Sequence, residues 1–178
     1  GSLKAKVPAR AGARAHRWPT REHPRKVLLL LGCVQPAMMP GINSATARVL
    51  DAAGIQTLVA DGAGCCGAIR THLADREGGL ADMRRNIDAW WPLVSAGKVE
   101  AIVMNASGCG ATVKDYGFIL QGDPAYADKA KRISFLTRDL SELLPDITAA
   151  LKEKFPGFAA GQGAGLQGTP KLVFHPPC

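Results

Sequence analysis

The segment VLLLLGC, at residues 27–33, places five consecutive apolar side chains before a glycine and a cysteine. A continuous apolar run of this length is typical of a parallel strand that is buried on both faces of a sheet. The same plan recurs twice, because TLVA at 57–60 precedes the doublet Cys65-Cys66 and AIVMN at 101–105 precedes Cys109. The sequence therefore predicts three buried strands, each followed within a few residues by cysteine.

Helical patterns separate the predicted strands along the chain. We predict strands at 27–32, 55–60 and 99–105, and helices at 43–53, 68–96, 107–116, 124–138 and 139–155. The predicted boundaries are an N-cap at Asn43 or Ser44, a helix end at Gly54, and breaks near Gly78-Gly79 and at Pro145. This alternation predicts an α/β fold, a doubly wound, mostly parallel, Rossmann-like sheet with helices on both faces.

The net charge of +7 comes from the first segment of the chain. Residues 1–26 carry eight basic side chains and one acidic one, whereas the remaining residues carry 14 of each. The segment also has few large apolar residues, which is typical of a linker or arm. We expect a solvated basic arm at 1–26, with Gly1-Ser2 as a cloning scar and with few contacts between residues 1–24 and the folded body. We expect no nucleic-acid partner.

A chain of 178 residues with 47% apolar side chains is long enough to form a substantial core. No apolar run approaches the ~20 residues that cross a bilayer, and the start lacks the apolar stretch of a signal peptide. We therefore expect a cytoplasmic protein in a reducing setting. Clustered cysteines in such a setting indicate metal or redox chemistry more often than structural disulfides.

The last eight residues, KLVFHPPC at 171–178, repeat the plan of residues 26–33: a basic residue, an apolar strand and a cysteine. We interpret this segment as the start of a second, similar domain. The expected organisation is an arm at 1–26, a cysteine-rich domain at 27–170 that ends in a glycine-rich loop, and a truncated repeat at 171–178.

Four cysteines, Cys33, Cys65, Cys66 and Cys109, follow the carboxyl ends of the predicted parallel strands. Such ends meet at one edge of a sheet, where α/β folds build their sites. Four thiols at one edge suit a soft metal centre, and iron–sulfur clusters are held by cysteine thiolates. Cys109 also lies near the predicted start of a helix, whose dipole favours the thiolate form.

Other interpretations of the cysteines remain open. The chain has neither the four-cysteine run of ferredoxin domains nor the paired C-x₂-C halves of zinc sites, and adjacent side chains diverge too much for one zinc ion. Cys65 and Cys66 could instead form a dithiol–disulfide pair, or the cysteines could be buried apolar core residues. His72, His175 and Arg70 are secondary candidates, for iron ligation or for balancing charge near the site.

Three motifs carry a resemblance to a known family: LGCVQP at 31–36, GCCGA at 64–68 and NASGCG at 105–110, with HPPC at 175–178. Their order resembles the cysteine-rich CCG domain of B-type heterodisulfide reductase subunits and of iron–sulfur subunits in glycolate- and lactate-oxidising complexes. The residues within these motifs look most like those of the iron–sulfur subunit of glycolate oxidase (glycolate dehydrogenase). The resemblance covers residues 27–178.

The resemblance implies an iron–sulfur electron-transfer module with no catalytic residue of its own. The implied ligands are Cys33, Cys65, Cys66 and Cys109, with Cys178 as the first ligand of the next repeat. The implied cofactor is a [4Fe–4S] cluster or a non-cubane variant. The implied partners are flavin-containing glycolate oxidase subunits, a ferredoxin-type domain before this segment and a second CCG domain after it. A membrane acceptor is expected to be reached only through the complex.

One position departs from the family pattern. The fuller CCG motif ends in C-x-x-C, and Ala106 stands where the first of those cysteines is expected. Four thiols still suit a [4Fe–4S] cluster, whereas the double non-cubane cluster is expected to need five. Two other functions stay beside electron transfer: an assembly module with structural or vestigial cysteines, and thiol–disulfide redox chemistry. This piece by itself is expected to be inactive as an enzyme and to retain a cluster less well than the intact complex.

Overall fold

The computed structural model describes residues 16–155, which contain a four-stranded, fully parallel sheet. The strands are β1 (Arg25–Leu29), β2 (Ile55–Leu58), β3 (Ala101–Met104) and β4 (Thr137–Asp139), in the order β2-β1-β3-β4. The helices are α1 (Gln35–Met38), α2 (Pro40–Ala52), α3 (Ala68–His72), α4 (Arg76–Ser95), α5 (Ser107–Lys114), α6 (Tyr116–Ile119), α7 (Ala127–Leu136) and α8 (Leu144–Lys154), with a 3-10 helix at Leu140–Leu143. The predicted glycine-rich loop and the strand from residue 171 lie outside the described residues.

Helices cover both faces of the sheet because β1 sends alternate side chains into two cores. Val27 and Leu29 belong to the core built with α2 and α8, whereas Leu28 and Leu30 belong to the core built with α4 and α7. The apolar side chains of α4 lie in the second core, where Trp90 is fully buried. The predicted doubly wound α/β fold is confirmed.

Strand direction and connection order create a crevice between β1 and β3. Val27 of β1 pairs in parallel with Thr57 of β2 on one side and with Ala101 of β3 on the other. The chain leaves β1 toward β2 and leaves β3 toward β4, so the two connections diverge to opposite sides of the sheet. Ligands of open α/β sheets bind at such a switch point, outside the carboxyl ends of the strands.

Two predicted helix boundaries are wrong for identifiable reasons. α2 begins at Pro40, whose fixed φ suits a first helical position, and the predicted caps Asn43 and Ser44 are buried inside the helix. The helix break predicted at Gly78-Gly79 is found instead at residues 73–75, between α3 and α4. Asp75 is the N-cap of α4, because its carboxylate accepts a hydrogen bond from the Gly78 N–H at 3.0 Å. The predicted end of α2 is confirmed, because Gly54 has a φ of +82°.

The segment predicted as two helices at 124–138 and 139–155 contains the fourth strand. Thr137–Asp139 forms β4, which pairs with Ile102–Met104 of β3. Pro145 lies in the first turn of α8 and so helps to begin a helix that it was predicted to break. None of the helices in residues 16–155 is long and apolar enough to cross a membrane.

Residues 16–24 carry no helix or strand, as predicted, but they lie against the folded body, so the expectation of few contacts is wrong for them. Trp18 packs against the core of α2 and α8. His23 Nε2 lies 2.8 Å from a carboxylate oxygen of Asp51, which is buried in α2. Residues 1–15 lie outside the described part of the chain, and the division into an arm and a domain stays a prediction.

His23→Ala is predicted to lower the free energy of unfolding by about 1–3 kcal/mol, because the buried Asp51 carboxylate would lose its nearest partner. Arg21→Ala is the matched control, since the Arg21 side chain is 78% exposed and lies 3.4 Å from the same carboxylate. The control is predicted to change the free energy by less than about 0.5 kcal/mol. Urea unfolding followed by circular dichroism compares the two, and equal losses would contradict the assignment.

Candidate metal centre

A cavity of about 300 Å³ opens at the switch point between β1 and β3, outside the carboxyl ends of the strands. Its walls come from the loops after β1, β2 and β3 and from the three helices α1, α3 and α5 that follow these loops. The lining residues are Gly32, Cys33, Val34, Gln35, Cys66, Ala68, Ile69, His72, Ala106, Gly108 and Cys109. Three of the predicted cysteines therefore meet at one edge of the sheet.

The four predicted cysteines form one interacting group at this edge, and all four are free thiols. The Cys33 thiol interacts with that of Cys65, and the Cys66 thiol interacts with those of Cys109 and Cys65. Cys65 does not line the cavity but reaches the group through Cys33. Cys178 lies outside the described residues, so its predicted role as a ligand stays a prediction.

The Cys66 and Cys109 thiols have opposite pKa shifts because they share one proton. The Cys109 thiol donates a hydrogen bond that lowers the pKa of Cys66 to about 6, although burial opposes the shift. The same contact raises the pKa of Cys109 far above its ordinary range. The prediction that the helix dipole favours a thiolate at Cys109 is therefore wrong, although Cys109 does lie in the first turn of α5. The negative charge is held at Cys66 instead.

Backbone N–H groups at the start of α3 point at the sulfurs of the doublet. The Gly67 N–H donates to Cys65 Sγ at 3.5 Å, and the Ala68 N–H donates to the Cys66 sulfur. The pKa of Cys65 is nevertheless raised, mainly by burial. Donors of this kind stabilise negative charge on sulfur, and hydrogen bonds to sulfur tune the potential of iron–sulfur clusters.

Gly67 has a backbone conformation and a tight contact that exclude larger residues. Its φ is +92°, and a Cβ atom built on it would lie 2.7 Å from the Gly79 carbonyl oxygen. The residue lets the chain turn from the doublet directly into α3 while α4 packs closely behind it. The glycine of the Cys-Cys-Gly motif is thus required by local geometry.

A buried amide network that sequence reasoning missed joins two of the cysteine loops. Asn43 Nδ2 donates to the Leu31 carbonyl at 3.1 Å, two residues before Cys33. Asn105 Nδ2 donates to Asn43 Oδ1 at 2.9 Å and to Thr46 Oγ1 at 3.0 Å. Asn105 is the first residue of the motif that contains Cys109. Its position directly after a predicted strand was the feature of the sequence that could have indicated a role at the site.

The secondary candidate residues, His72, Arg70 and His175, differ in where they lie. His72 lies in the cavity wall, as does Ala106, the position where the family pattern has another cysteine. Arg70 is paired instead with the carboxylates of Asp75 and Asp82, at 3.2 and 3.3 Å. His175 lies outside the described residues.

The donor set at this edge fits an iron–sulfur cluster better than a single metal ion. In the part of the chain that the structure describes, no three His, Cys, Asp or Glu side chains are arranged to hold one ion. Three of the thiols instead line a cavity whose wall also includes the small residues Gly32, Ala68 and Gly108. Soft sulfur donors around such a space are what iron–sulfur clusters require.

Comparison with known proteins links this chain to iron–sulfur subunits. Residues 27–114 match the family described as "CCG: Cysteine-rich domain". The chain is 49% identical over 176 residues to the glycolate oxidase iron-sulfur subunit of Escherichia coli (strain K12), an alignment that covers 99% of this chain and 40% of the relative. It is 29% identical over 123 residues to the probable glycolate oxidase iron-sulfur subunit of Bacillus subtilis (strain 168), covering 69% of this chain and 27% of the relative.

A more distant similarity extends to another group of proteins. The chain is 24% identical over 135 residues to lactate utilization protein A of Bacillus licheniformis, covering 72% of this chain and 54% of the relative. In each of these comparisons the chain spans less than two thirds of the relative. No solved structure matches the chain significantly.

Gly67→Ala is predicted to lower the free energy of unfolding by about 3 kcal/mol, because the left-handed conformation and the contact with the Gly79 carbonyl both penalise a Cβ atom. Gly97→Ala is the matched control, since Gly97 has a φ of +63° and open space around it. The control is predicted to cost about 1–2 kcal/mol. Denaturant unfolding measures both variants, and a Gly67→Ala loss no larger than the control would count against the close packing.

The metal-free protein is predicted to form one thiolate as the pH rises through about 6, because the pKa of Cys66 is lowered to that value. Ultraviolet thiolate absorbance across a pH titration measures this step, which should vanish in Cys66→Ser. Cys109→Ala removes the hydrogen-bond donor, so the pKa of Cys66 should rise and the step should move to higher pH. An unchanged step in Cys109→Ala would show that another group holds the charge at Cys66.

Proposed function

We propose that this chain, which belongs to the family of cysteine-rich CCG domains, is the iron–sulfur electron-transfer part of a complex that oxidises glycolate or a related 2-hydroxy acid. The observation that carries the proposal is the meeting of Cys33, Cys65, Cys66 and Cys109 at the carboxyl edge of the sheet. The names of the relatives support it, because one is an iron-sulfur subunit of glycolate oxidase and another is a probable one.

The four cysteines are the proposed ligands, and four thiolates complete the coordination of a [4Fe–4S] cluster. A bound cluster would supply one-electron transfer. The chain's own contribution is to present four sulfurs from three loops, to shield Cys66 and part of Cys109 from solvent, and to direct N–H donors at the doublet. The N–H donors favour the thiolate form, whereas burial opposes it.

The proposed surroundings extend beyond the described residues. We place flavin-containing subunits on the electron-donating side and a membrane acceptor on the receiving side, with a ferredoxin-type domain and a second CCG domain in the same full-length chain. The proposed location is the cytoplasm, at the inner face of the membrane through the complex. The four free thiols support a reducing compartment. The coverage of the relatives leaves room for additional domains.

Thiol–disulfide redox chemistry is the second candidate, and the contact between Cys66 and Cys109 favours it. A thiolate of lowered pKa beside a second thiol is an arrangement that exchange reactions use. This pair differs from the Cys65-Cys66 doublet that the sequence suggests, because the contact with Cys109 lowers the pKa of Cys66 more than the contact with Cys65 does. Turnover that survives removal of iron by a chelator would favour this candidate over electron transfer.

Cys66→Ser in the full-length complex tests the primary proposal. Serine has a similar volume but is a harder ligand, so bound iron is predicted to fall by about four atoms per chain, the content of one [4Fe–4S] cluster. Reduction of the acceptor is predicted to fall at least about tenfold. Reduction of the flavin by the hydroxy acid is predicted to continue, because that step belongs to other subunits. Iron content, acceptor reduction and flavin bleaching are measured anaerobically on the same preparations.

Val99→Thr is the control, because it places an isosteric hydroxyl at another buried position, before β3 and away from the cysteines. It is predicted to keep wild-type iron and turnover. Ala106→Cys adds a fourth thiol to the cavity wall, the fifth thiol at this edge, and is predicted to raise iron retention. Wild-type iron and turnover in Cys66→Ser would contradict electron transfer at this site and would favour the assembly module.

A further inference from the structure

Two fully buried polar side chains, Asn86 in α4 and Tyr116 in α6, meet behind the cysteine doublet. The Asn86 side chain accepts a hydrogen bond from the Gly64 N–H at 2.8 Å and donates to the Cys65 carbonyl at 2.7 Å. It also donates to the Tyr116 hydroxyl at 3.1 Å, and that hydroxyl donates to the Cys66 carbonyl at 2.8 Å. Two side chains thus bind the peptide groups of both cysteines.

The burial of this pair shows what its polar atoms do. Asn86 and Tyr116 are 0% exposed, so their amide and hydroxyl groups must find partners inside the protein. Every side-chain hydrogen bond that they make goes to residues 64–66 or to each other. Burying a polar group costs free energy unless it is bonded, and an apolar pair of the same size would leave two carbonyls unpaired. The polar atoms of Asn86 and Tyr116 therefore bind the backbone of the cysteine doublet and of the residue before it.

The doublet has little other local constraint on its peptide orientation. Gly64 precedes it and Gly67 follows it, and glycine restricts the backbone less than any other residue. No helix or strand includes residues 59–67, so ladder hydrogen bonds do not hold them. With both carbonyls bound to Asn86 and Tyr116, the Cys65 sulfur contacts Cys33 and the Cys66 sulfur contacts Cys109.

We propose that Asn86 and Tyr116 are positioning residues for the metal centre, which fix the two carbonyls of the doublet and thereby aim its sulfurs at two different partner cysteines. Neither side chain is itself a ligand, and each acts through the backbone of the cysteines. The inference rests on the proposed function, because it assigns these residues to the site that would hold the cluster.

Tyr116→Phe in the full-length protein tests the assignment, because it removes only the hydroxyl that binds the Cys66 carbonyl. Thr137→Val is the matched control: Thr137 is also 0% exposed and its hydroxyl donates to a backbone carbonyl at 2.8 Å, but it begins β4, away from the cysteines. Asn86→Asp is a second variant, which keeps the acceptor for the Gly64 N–H and removes the donor to the Cys65 carbonyl.

Two readouts separate positioning from general stability. The first is the rate at which iodoacetamide alkylates Cys65 and Cys66 in the metal-free protein, resolved by mass spectrometry of the peptides. Tyr116→Phe is predicted to react about tenfold faster than Thr137→Val, which corresponds to about 1.4 kcal/mol of easier local opening. The second is the electron paramagnetic resonance signal after anaerobic loading with iron and sulfide, predicted to change in Tyr116→Phe and Asn86→Asp but not in the control.

Equal alkylation rates and unchanged signals in Tyr116→Phe and Thr137→Val would overturn the assignment. Wild-type protein that binds iron only in its other domains, and none at these four cysteines, would instead overturn the proposed function. The alkylation comparison would still decide in that case whether the two residues hold the doublet, so the two failures are distinguishable.

Discussion

The parallel pairing of β1 with β2 on one side and β3 on the other is the constraint on which the site depends. The register aligns Val27 with Thr57 and Ala101, so the loops that follow all leave from the same edge. β1 can hold this central place because its side chains are buried on both faces. A slip of one residue would exchange the side chains that β1 sends into the two cores and would move the cysteine loops out of alignment, so both the packing and the meeting of the cysteines depend on this register.

Buried polar side chains convert this shared edge into a defined site. Asn43 and Asn105 join the loop before Cys33 to the loop before Cys109, while Asn86 and Tyr116 bind the peptide groups of the doublet. Functional residues often lie on loops that a rigid sheet positions, but the buried backbone N–H and C=O groups of such loops still need hydrogen-bond partners. Here the partners are amides and a phenol from helices α2, α4 and α6. The loops are thereby held without occupying the sulfurs.

Sequence patterns predicted what depends on apolar periodicity and missed what depends on tertiary contacts. The strands predicted at 55–60 and 99–105 are present in shortened form, and the strand predicted at 27–32 begins two residues earlier, at Arg25. The four cysteines meet beyond the carboxyl ends of the strands, as predicted. β4 was missed because Thr137–Asp139 is three residues long and has no apolar run. The charge was assigned to Cys109 from its place in a helix, whereas its contact with Cys66 decides which sulfur ionises. The roles of Asn86 and Tyr116 have no local signal, since their partners lie 21 to 50 residues away in the chain.

We propose that the carboxyl edge of this sheet binds iron through Cys33, Cys65, Cys66 and Cys109. A crystal structure of the full-length protein, purified and crystallised without oxygen, with anomalous diffraction collected at the iron absorption edge, tests this binding directly. We expect an iron peak in the cavity between β1 and β3, within bonding distance of these four sulfurs. Iron peaks confined to other domains, with these thiols paired as disulfides or left unligated, would contradict it.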